Sequence, residues 1–452
     1  MGAFHAYDIR GVWGVDLGAD TGYRVGRCLP ALLGAKTVLV GRDARVTSPE
    51  LAAALARGVT EAGADVDDLG LCTTPTTYFV TGTRGYAAAA MVTASHNPPD
   101  CNGIKISKKG ALPVGENSGL RELEAMVSGE LPPKAERPGA VRHVDAKPDL
   151  LAWFGGRAPD LAGLRFVVDC SNGVGALLAR DLFAGCGGEG VFINEELDGT
   201  FPNHPPNPLL PEASVQLGAA VVREGADLGL MFDGDADRVA FVDSRGKFVR
   251  PDVLTAVLAE RFLADEPGAP VLCDIRTSRG VAERIAALGG APHLWKVGHA
   301  YAKPKMRELA APCGGELAGH YYFREFCWCD SAMRAAQIVL GAAAAAKRAG
   351  SSFDAIVRAI DVYANSGEVN FRCGRKDEAI AAFAAWAAAR RPAAERTLDF
   401  DGVRVDWPDG WANVRKSNTE PYLRLVAEGR DAATLDAILA GVKSSIAPFV
   451  EG

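Results

Sequence analysis

Phe166-Val167-Val168-Asp169-Cys170-Ser171-Asn172-Gly173-Val174-Gly175, running into Ala176-Leu177-Leu178-Ala179-Arg180-Asp181-Leu182-Phe183, is the stretch that decides the fold class. A short apolar run ends in a polar loop, and an amphipathic helix follows. The pattern occurs twice more. Thr37 to Val40 leads into Gly41-Arg42-Asp43-Ala44-Arg45 and then a helix, with Ser48 as its cap, Pro49 at its first position and Gly63 near its end. Leu51, Leu55 and Val59 share one face of that helix at i, i+4 spacing. Val271-Leu272-Cys273-Asp274 leads into Ile275-Arg276-Thr277-Ser278 and a helix from Gly280 to Leu288. Strands alternating with helices imply α/β units, with ligands gathering at loops on the C-terminal ends of the strands.

Three copies predict three related α/β domains, and the chain's last stretch differs in style. There an extended run, Glu368 to Arg372, precedes an alanine-rich helix, Asp377 to Arg390. Alternating segments follow at Val403 to Trp407, Trp411 to Arg415 and Tyr422 to Ala427, and Ala433 to Ile446 closes as a helix. The expected fold class is therefore α/β, three related α/β domains plus a C-terminal α+β domain. Pro132 to Pro148, rich in proline and charge, reads as the first linker; further boundaries fall near Ser244-Arg245-Gly246 and Tyr363-Ala364-Asn365-Ser366-Gly367. These divide the chain into 1–144, 145–246, 247–361 and 362–452.

A chain of 452 residues is too long for one core, and 48% hydrophobic with 23% charged residues is ordinary for a globular protein. The net charge of −7 argues against broad neutralisation of nucleic-acid phosphates, while an anionic small substrate fits if basic residues converge locally. Ten scattered cysteines include no CxxC pair, only the CxC of Cys327 and Cys329, so they read as free thiols in a reducing cytoplasm. The N-terminus reaches Tyr7-Asp8-Ile9-Arg10-Gly11 without room for a signal peptide, and Ala6 stands where myristoylation prefers Ser or Thr. Apolar stretches such as Ile338 to Ala346 fall short of a membrane span. We expect a cytoplasmic protein without nucleic-acid or membrane partners, a monomer or weak dimer.

Four constellations carry chemistry. Asp233-Gly234-Asp235-Ala236-Asp237-Arg238 places alternate carboxylates on one side of an extended segment, where they repel unless a cation sits among them. Oxygen ligands point to Mg²⁺, Mn²⁺ or Ca²⁺ rather than zinc. An EF-hand is excluded, because its sixth and twelfth positions hold Arg238 and Ser244 instead of Gly and Glu. Thr93-Ala94-Ser95-His96-Asn97-Pro98 puts a hydroxyl at the head of a turn. No G-x-S-x-G elbow accompanies it, which disfavours a Ser-His-Asp hydrolase. Phosphorylated, Ser95 would carry nearly two negative charges and offer oxygens to a metal. Arg415-Lys416-Ser417-Asn418-Thr419-Glu420-Pro421, with Arg424, concentrates basic and hydroxyl groups that can hold a phosphate. Gly315-Glu316-Leu317-Ala318-Gly319-His320 pairs a carboxylate with an imidazole, which suits sugar hydroxyls that both donate and accept. Lys105 and His299 are candidate proton-transfer groups. Gly173-Val174-Gly175 is a weak phosphate signal, and no Walker A sequence occurs.

Together these four loops, which follow one another along the chain at 93–98, 233–238, 315–320 and 415–421, resemble the α-D-phosphohexomutase superfamily over nearly the whole chain. The resemblance implies four domains around one central cleft, each giving one loop. It implies that Ser95 is a phosphoserine, that Ser95, Asp233, Asp235 and Asp237 hold Mg²⁺, and that Glu316 and His320 orient the sugar. Arg415, Ser417, Asn418 and Thr419, with Arg424, would grip the phosphate not being transferred. Tyr7, Arg10, Lys105, Arg238 and His299 match positions lining the family's cleft, Lys105 and His299 as the proton movers. The activator implied is glucose 1,6-bisphosphate or mannose 1,6-bisphosphate.

Ser417-Asn418-Thr419 looks like the phosphomannomutase/phosphoglucomutase branch, since phosphoglucosamine mutases usually show Ser-Gly-Thr there. Ala318 replaces the family's usual serine and removes one hydroxyl, worth about 1 kcal/mol in sugar binding if nothing replaces it. Cys329-Asp330-Ser331 stands where many relatives carry Asp-Asp-Gly, with Asp330 expected to cap the next helix. The expected activity is a reversible shift of phosphate between the 1- and 6-positions of mannose and/or glucose phosphate, through phospho-Ser95 and a bisphosphate. Reorientation of that intermediate calls for a hinge of domain four near Asn365 to Gly367. Alternatives are a phosphoglucosamine mutase, a metal-dependent sugar phosphatase, or a non-catalytic sugar-phosphate sensor.

Overall fold

The computed structural model describes residues 2–417 and 422–451. Each predicted α/β copy forms its strand, loop and helix. Arg165–Asp169 precedes helix Ala176–Phe183, Thr37–Arg42 precedes Ser48–Glu61, and Pro270–Asp274 precedes Arg279–Ala287. Four sheets result among the described residues, three mixed and one antiparallel.

The first sheet runs from edge to edge as Ile9–Val12, Cys101–Lys108, Ala88–Val92, Thr37–Arg42, Asp65–Leu71 and Val141–His143. The second runs as Phe248–Val249, Val239–Val242, Leu228–Phe232, Arg165–Asp169 and Glu189–Ile193; the third as Ala291–Trp295, Pro270–Asp274, Cys313–Gly315, Tyr321–Phe323 and Cys329–Asp330. In all three a run of parallel strands is followed by an antiparallel return. The returns join Ala88–Val92 to Cys101–Lys108, Leu228–Phe232 to Val239–Val242, and Cys313–Gly315 to Tyr321–Phe323. The fourth sheet, Ala364–Arg372, Tyr422–Gly429, Gly410–Lys416, Val403–Trp407 and Arg396–Leu398, is antiparallel throughout.

The expectations fail locally. The supposed linker from Pro132 to Pro148 contributes the strand Val141–His143, which pairs in parallel with Val66–Asp68 and extends the first sheet. Alternation was too short there to be read from composition. The turn at Ser244–Gly246 is a hairpin inside the second sheet, which continues to Val249. Ser48 is the first residue of its helix, not the cap; its hydroxyl donates to Asp43 Oδ1 at 2.5 Å. No helix among the described residues is long and apolar enough to cross a membrane.

Helices Ala19–Leu33 and Ser48–Glu61 cross at backbone contact. A Cβ on Gly26 would lie 2.1 Å from the Leu55 carbonyl oxygen, and one on Gly58 would lie 2.2 Å from that of Tyr23. The second helix begins three residues after Arg45, so this crossing sets where the Asp43–Arg45 loop stands. Gly26→Ala should gain about 1 kcal/mol in helix propensity, yet overpacking against a carbonyl costs about 1–3 kcal/mol. The expected outcome is a lower urea midpoint for the transition that reports this domain; an unchanged or higher midpoint would contradict the crossing.

Candidate active site

The candidate residues gather on the antiparallel returns. Residues 93–100, 233–238 and 316–320 each turn the chain from a parallel strand back into its own sheet, and in the fourth sheet Gly410–Lys416 and Tyr422–Gly429 are antiparallel neighbours. The stretch after Arg415 was expected to lie between two strands; that the loops at 93–100, 233–238 and 316–320 are returns rather than links to a helix was not.

Ser95 is fully buried and sits in left-handed backbone at φ 52°, a strained conformation for a residue with a Cβ. Its hydroxyl donates to Asp233 Oδ2 at 2.8 Å, so residues 138 positions apart meet directly. Asp233, Asp235 and Asp237 are also fully buried, with one carboxylate oxygen from each lying within 4.8 Å of the others. Burial, then the charges of Asp237 and Asp235, pushes the Asp233 carboxyl well above its ordinary range. Lys105 donates to Asp235 Oδ2 at 2.7 Å and Asp237 Oδ2 at 2.5 Å. That leaves Asp235 Oδ1 and Asp237 Oδ1 buried with no hydrogen-bond donor among the described residues. Buried orphan oxygens converging from an all-carboxylate set fit a hard divalent cation.

Arg238, the last residue of that loop, reaches the third domain. Its Nε donates to His320 Nε2 at 2.9 Å, and its backbone bridges that of His320. A guanidinium can only donate, so Nε2 accepts and the ring proton sits on Nδ1, which donates to Asp330 Oδ2 at 2.7 Å. The other Asp330 oxygen lies 2.7 Å from Lys303 Nζ, both side chains being fully buried, and that ammonium stands 3.5 Å from the centre of the Tyr78 ring. Burial acts to raise the Asp330 carboxyl, but Lys303 and His320 hold it well below its ordinary range. Asp330 is thus the anchor of His320, and the cap of helix Ala332–Arg348 is Ser331, which accepts from Arg334 N. Asp330, expected to cap that helix, is drawn instead to Lys303 and His320.

Glu316 is held by Tyr322, whose hydroxyl donates to Oε1 at 2.6 Å, and by the Gly298 N–H at 3.2–3.3 Å from its two oxygens. A side chain at Gly298 would be strained on two counts: its φ is 120°, and a Cβ would lie 2.8 Å from the Tyr7 ring. Tyr7 donates to the Val297 carbonyl at 3.1 Å and meets the His299 ring edge-on at 5.9 Å. Burial, with Lys303 nearby, pushes His299 well below the ordinary imidazole range, and its Nδ1 has no partner among the described residues. Arg10 donates to Asn97 Oδ1 at 2.9 Å and to Asp8 Oδ2 at 2.5 Å, beside the Ser95 loop.

In the fourth domain Arg415, buried, lies 3.9 Å from Glu368 and Asp401, and Arg424 donates to Glu368 Oε1 at 2.5 Å. Arg276 donates to the other Glu368 oxygen at 2.9 Å from the third domain. Ser417 N donates to the Tyr422 carbonyl at 2.9 Å. Asn418 and Thr419, the remaining expected members, lie outside the described residues.

The first loop of each copy had no expected role beyond a weak phosphate signal at Gly173-Val174-Gly175, and there the structure adds most. Asp43, Asp169 and Asp274 each accept the N–H two residues on, at 3.0, 2.8 and 2.7 Å. Each loop then supports the neighbouring return. Arg45 donates to the carbonyls of Ser95, Asn97, Pro98 and Cys101 at 2.6–3.0 Å. Ser171 Oγ donates to the Phe232 carbonyl at 2.6 Å, and a Cβ on Gly173 would lie 2.6 Å from the Gly234 carbonyl oxygen. Asp274 Oδ2 accepts Leu317 N at 2.7 Å. The recurring Asp-x-Arg or Asp-x-Ser at the strand ends was the available signal.

Against known proteins, the chain matches four domain families in order: Phosphoglucomutase/phosphomannomutase, alpha/beta/alpha domain I over residues 1–131, domain II over 153–246, domain III over 250–363, and the C-terminal domain over 368–444. A phosphomannomutase of Salmonella montevideo is 39% identical over 439 residues, covering 94% of each chain. A phosphomannomutase/phosphoglucomutase of Pseudomonas aeruginosa is 36% identical over 447 residues, covering 96% of this chain and 93% of that one. The crystal structure of a phosphoglucomutase/phosphomannomutase family protein from Burkholderia thailandensis aligns with a TM-score of 0.89 at 31% identity, over 98% of this chain and 97% of that one.

Arg45 also lies 3.2 Å from Asp43 Oδ2, both side chains being buried. Arg45→Met would leave that carboxylate uncompensated, a loss of about 3–5 kcal/mol, and would free four carbonyls of the Ser95 loop. Chemical denaturation should read a fall of that size; a change under about 1 kcal/mol, the scale of a single exposed ion pair, would contradict the role of Arg45.

Proposed function

The chain belongs to the phosphoglucomutase/phosphomannomutase family, and from that premise we propose how its own residues carry out the reaction and on which sugars. It is a phosphohexomutase, an isomerase acting by intramolecular phosphoryl transfer between the 1- and 6-positions of a hexose phosphate. Mannose and/or glucose phosphate are the proposed substrates, in keeping with the relatives' names. The observation that carries the residue assignment is the 2.8 Å contact between Ser95 Oγ and Asp233.

In this reading phospho-Ser95 is the donor. The bond from phosphorus to Ser95 Oγ breaks as one forms to a free sugar hydroxyl, whose proton passes to the neutral ring of His299, and a hexose bisphosphate results; Lys105, expected as a second proton mover, is already an ammonium between Asp235 and Asp237 and can only donate. The bisphosphate turns over in the cleft and returns its other phosphoryl group to Ser95 Oγ, releasing the isomer. Glucose 1,6-bisphosphate or mannose 1,6-bisphosphate is the proposed activator, phosphorylating Ser95 at the outset. Asp233, Asp235, Asp237 and phospho-Ser95 would hold Mg²⁺, which when bound neutralises charge on the phosphoryl oxygens. Arg238 adds a fixed cation beside the same group.

The remaining roles divide by domain. Residues 1–144 supply the nucleophile loop with Tyr7 and Arg10, and 145–246 the acidic loop. Residues 247–361 supply Glu316 and His320 for the sugar hydroxyls. Residues 362–452 supply Arg415, Ser417, Asn418, Thr419 and Arg424 for the phosphate that stays. Arg276 joins them because Glu368 draws it into the same cluster. The hinge is proposed near Asn365–Gly367, where a bulge interrupts the pairing of Ala364–Arg372 with Tyr422–Gly429.

Ser95→Ala should abolish nearly all turnover with the thermal midpoint preserved; substantial retained activity would overturn the assignment. Product analysis on mannose 1-phosphate and glucose 1-phosphate should give the 6-phosphates, whereas release of inorganic phosphate would indicate a phosphatase. Arg415→Ala should raise KM by roughly tenfold to a hundredfold, the loss of one charged hydrogen bond at about 1.5–3 kcal/mol; an unchanged KM would remove Arg415 from the phosphate site.

A further inference from the structure

We infer that Thr74, on the first domain, is a positioning residue for the divalent cation held by the second domain, acting by fixing the orientation of Asp235. The inference rests on the cation reading given above for the three aspartates.

Thr74 is the first residue of helix Thr74–Arg84 and is fully buried. The first N–H groups of a helix have no partner within it. Thr73, the cap, takes care of one by accepting from Thr76 N at 3.2 Å. Thr74 spends its own outside the helix: its N–H donates to the main-chain carbonyl of Asp235 at 3.0 Å. Its hydroxyl donates to Asp235 Oδ2 at 2.5 Å. One residue therefore holds both the backbone and the side chain of a proposed ligand that lies 161 positions away in sequence.

The second contact has a directional consequence. Asp235 Oδ2 receives two donors, the Thr74 hydroxyl and the Lys105 ammonium at 2.7 Å. Oδ1 receives none among the described residues and is buried. A carboxylate has only rotation about its side-chain bonds with which to choose which oxygen faces the cluster. With Oδ2 held from two sides, Oδ1 is the oxygen left to the cation. Lys105 cannot do this alone, because its ammonium is shared with Asp237 Oδ2. Groups that orient metal ligands in this way typically account for tenfold to hundredfold in affinity.

The test is the dissociation constant of Mn²⁺ and Mg²⁺ measured by titration calorimetry on the full chain, with Ser95 unphosphorylated in every sample. Thr74→Val keeps the shape and removes the hydroxyl, and it should weaken binding by roughly tenfold to a hundredfold. Thr74→Ser, which keeps the donor, should bind close to wild type. Equal affinity of Thr74→Val and wild type would overturn the inference. Should Thr74→Val not fold, Thr74→Ala is compared with Thr74→Ser, and equal affinities there overturn it likewise. Failure of the underlying reading looks different: wild type itself would then bind no better than Asp235→Asn.

Discussion

Three aspartates within five residues, all fully buried, are the constraint to which the rest of the site answers. Ionised carboxylates in such a place are unfavourable unless compensated, by an amount that grows as water is excluded. The compensation comes from other parts of the chain. Lys105 and the Ser95 hydroxyl arrive from the first domain, and Arg238 extends from the same loop toward His320 in the third. Neutralising the cluster and joining the domains are thus one set of contacts. The charge that would suit a cation also gives the domains a reason to meet.

A second regularity lies beneath it. Each of the first three domains places its candidate loop at an antiparallel return, and each supports it from a neighbouring loop that opens on an aspartate accepting the N–H two residues on. Asp43 with Arg45, Asp169 with Ser171, and Asp274 with the Leu317 N–H show one solution reached three times with different side chains. The partner differs because the task differs. The strained Ser95 loop needs four carbonyls gathered by a guanidinium, whereas the acidic loop needs backbone proximity, which Gly173 permits.

What the sequence made legible was local or repeated. Strand, loop and helix in each copy could be read from periodicity, and the four loops from their residue types. The helix Ala176–Phe183 even begins and ends as expected. The rest depended on contacts distant in sequence. Val141–His143 is a strand only because Val66–Asp68 lies beside it. Asp330, preceding a helix, had the local signature of a cap, but Lys303 and His320 compete for it more strongly and Ser331 takes the cap. Arg276 looked like part of a strand-to-helix loop until Glu368 of another domain was found against it. Local rules fail where a buried charge must be matched, since the match is chosen in space.

The antiparallel returns have a mechanical corollary. Loops 93–100, 233–238 and 316–320 are tethered at both ends by strands hydrogen-bonded to each other, so none has the slack of a flap that opens and shuts. Any widening or narrowing of the space between them must be borne by entire sheets turning as rigid bodies. Reaction geometry inside each module is then insulated from traffic through the site, and the machine's moving parts are its modules rather than its loops.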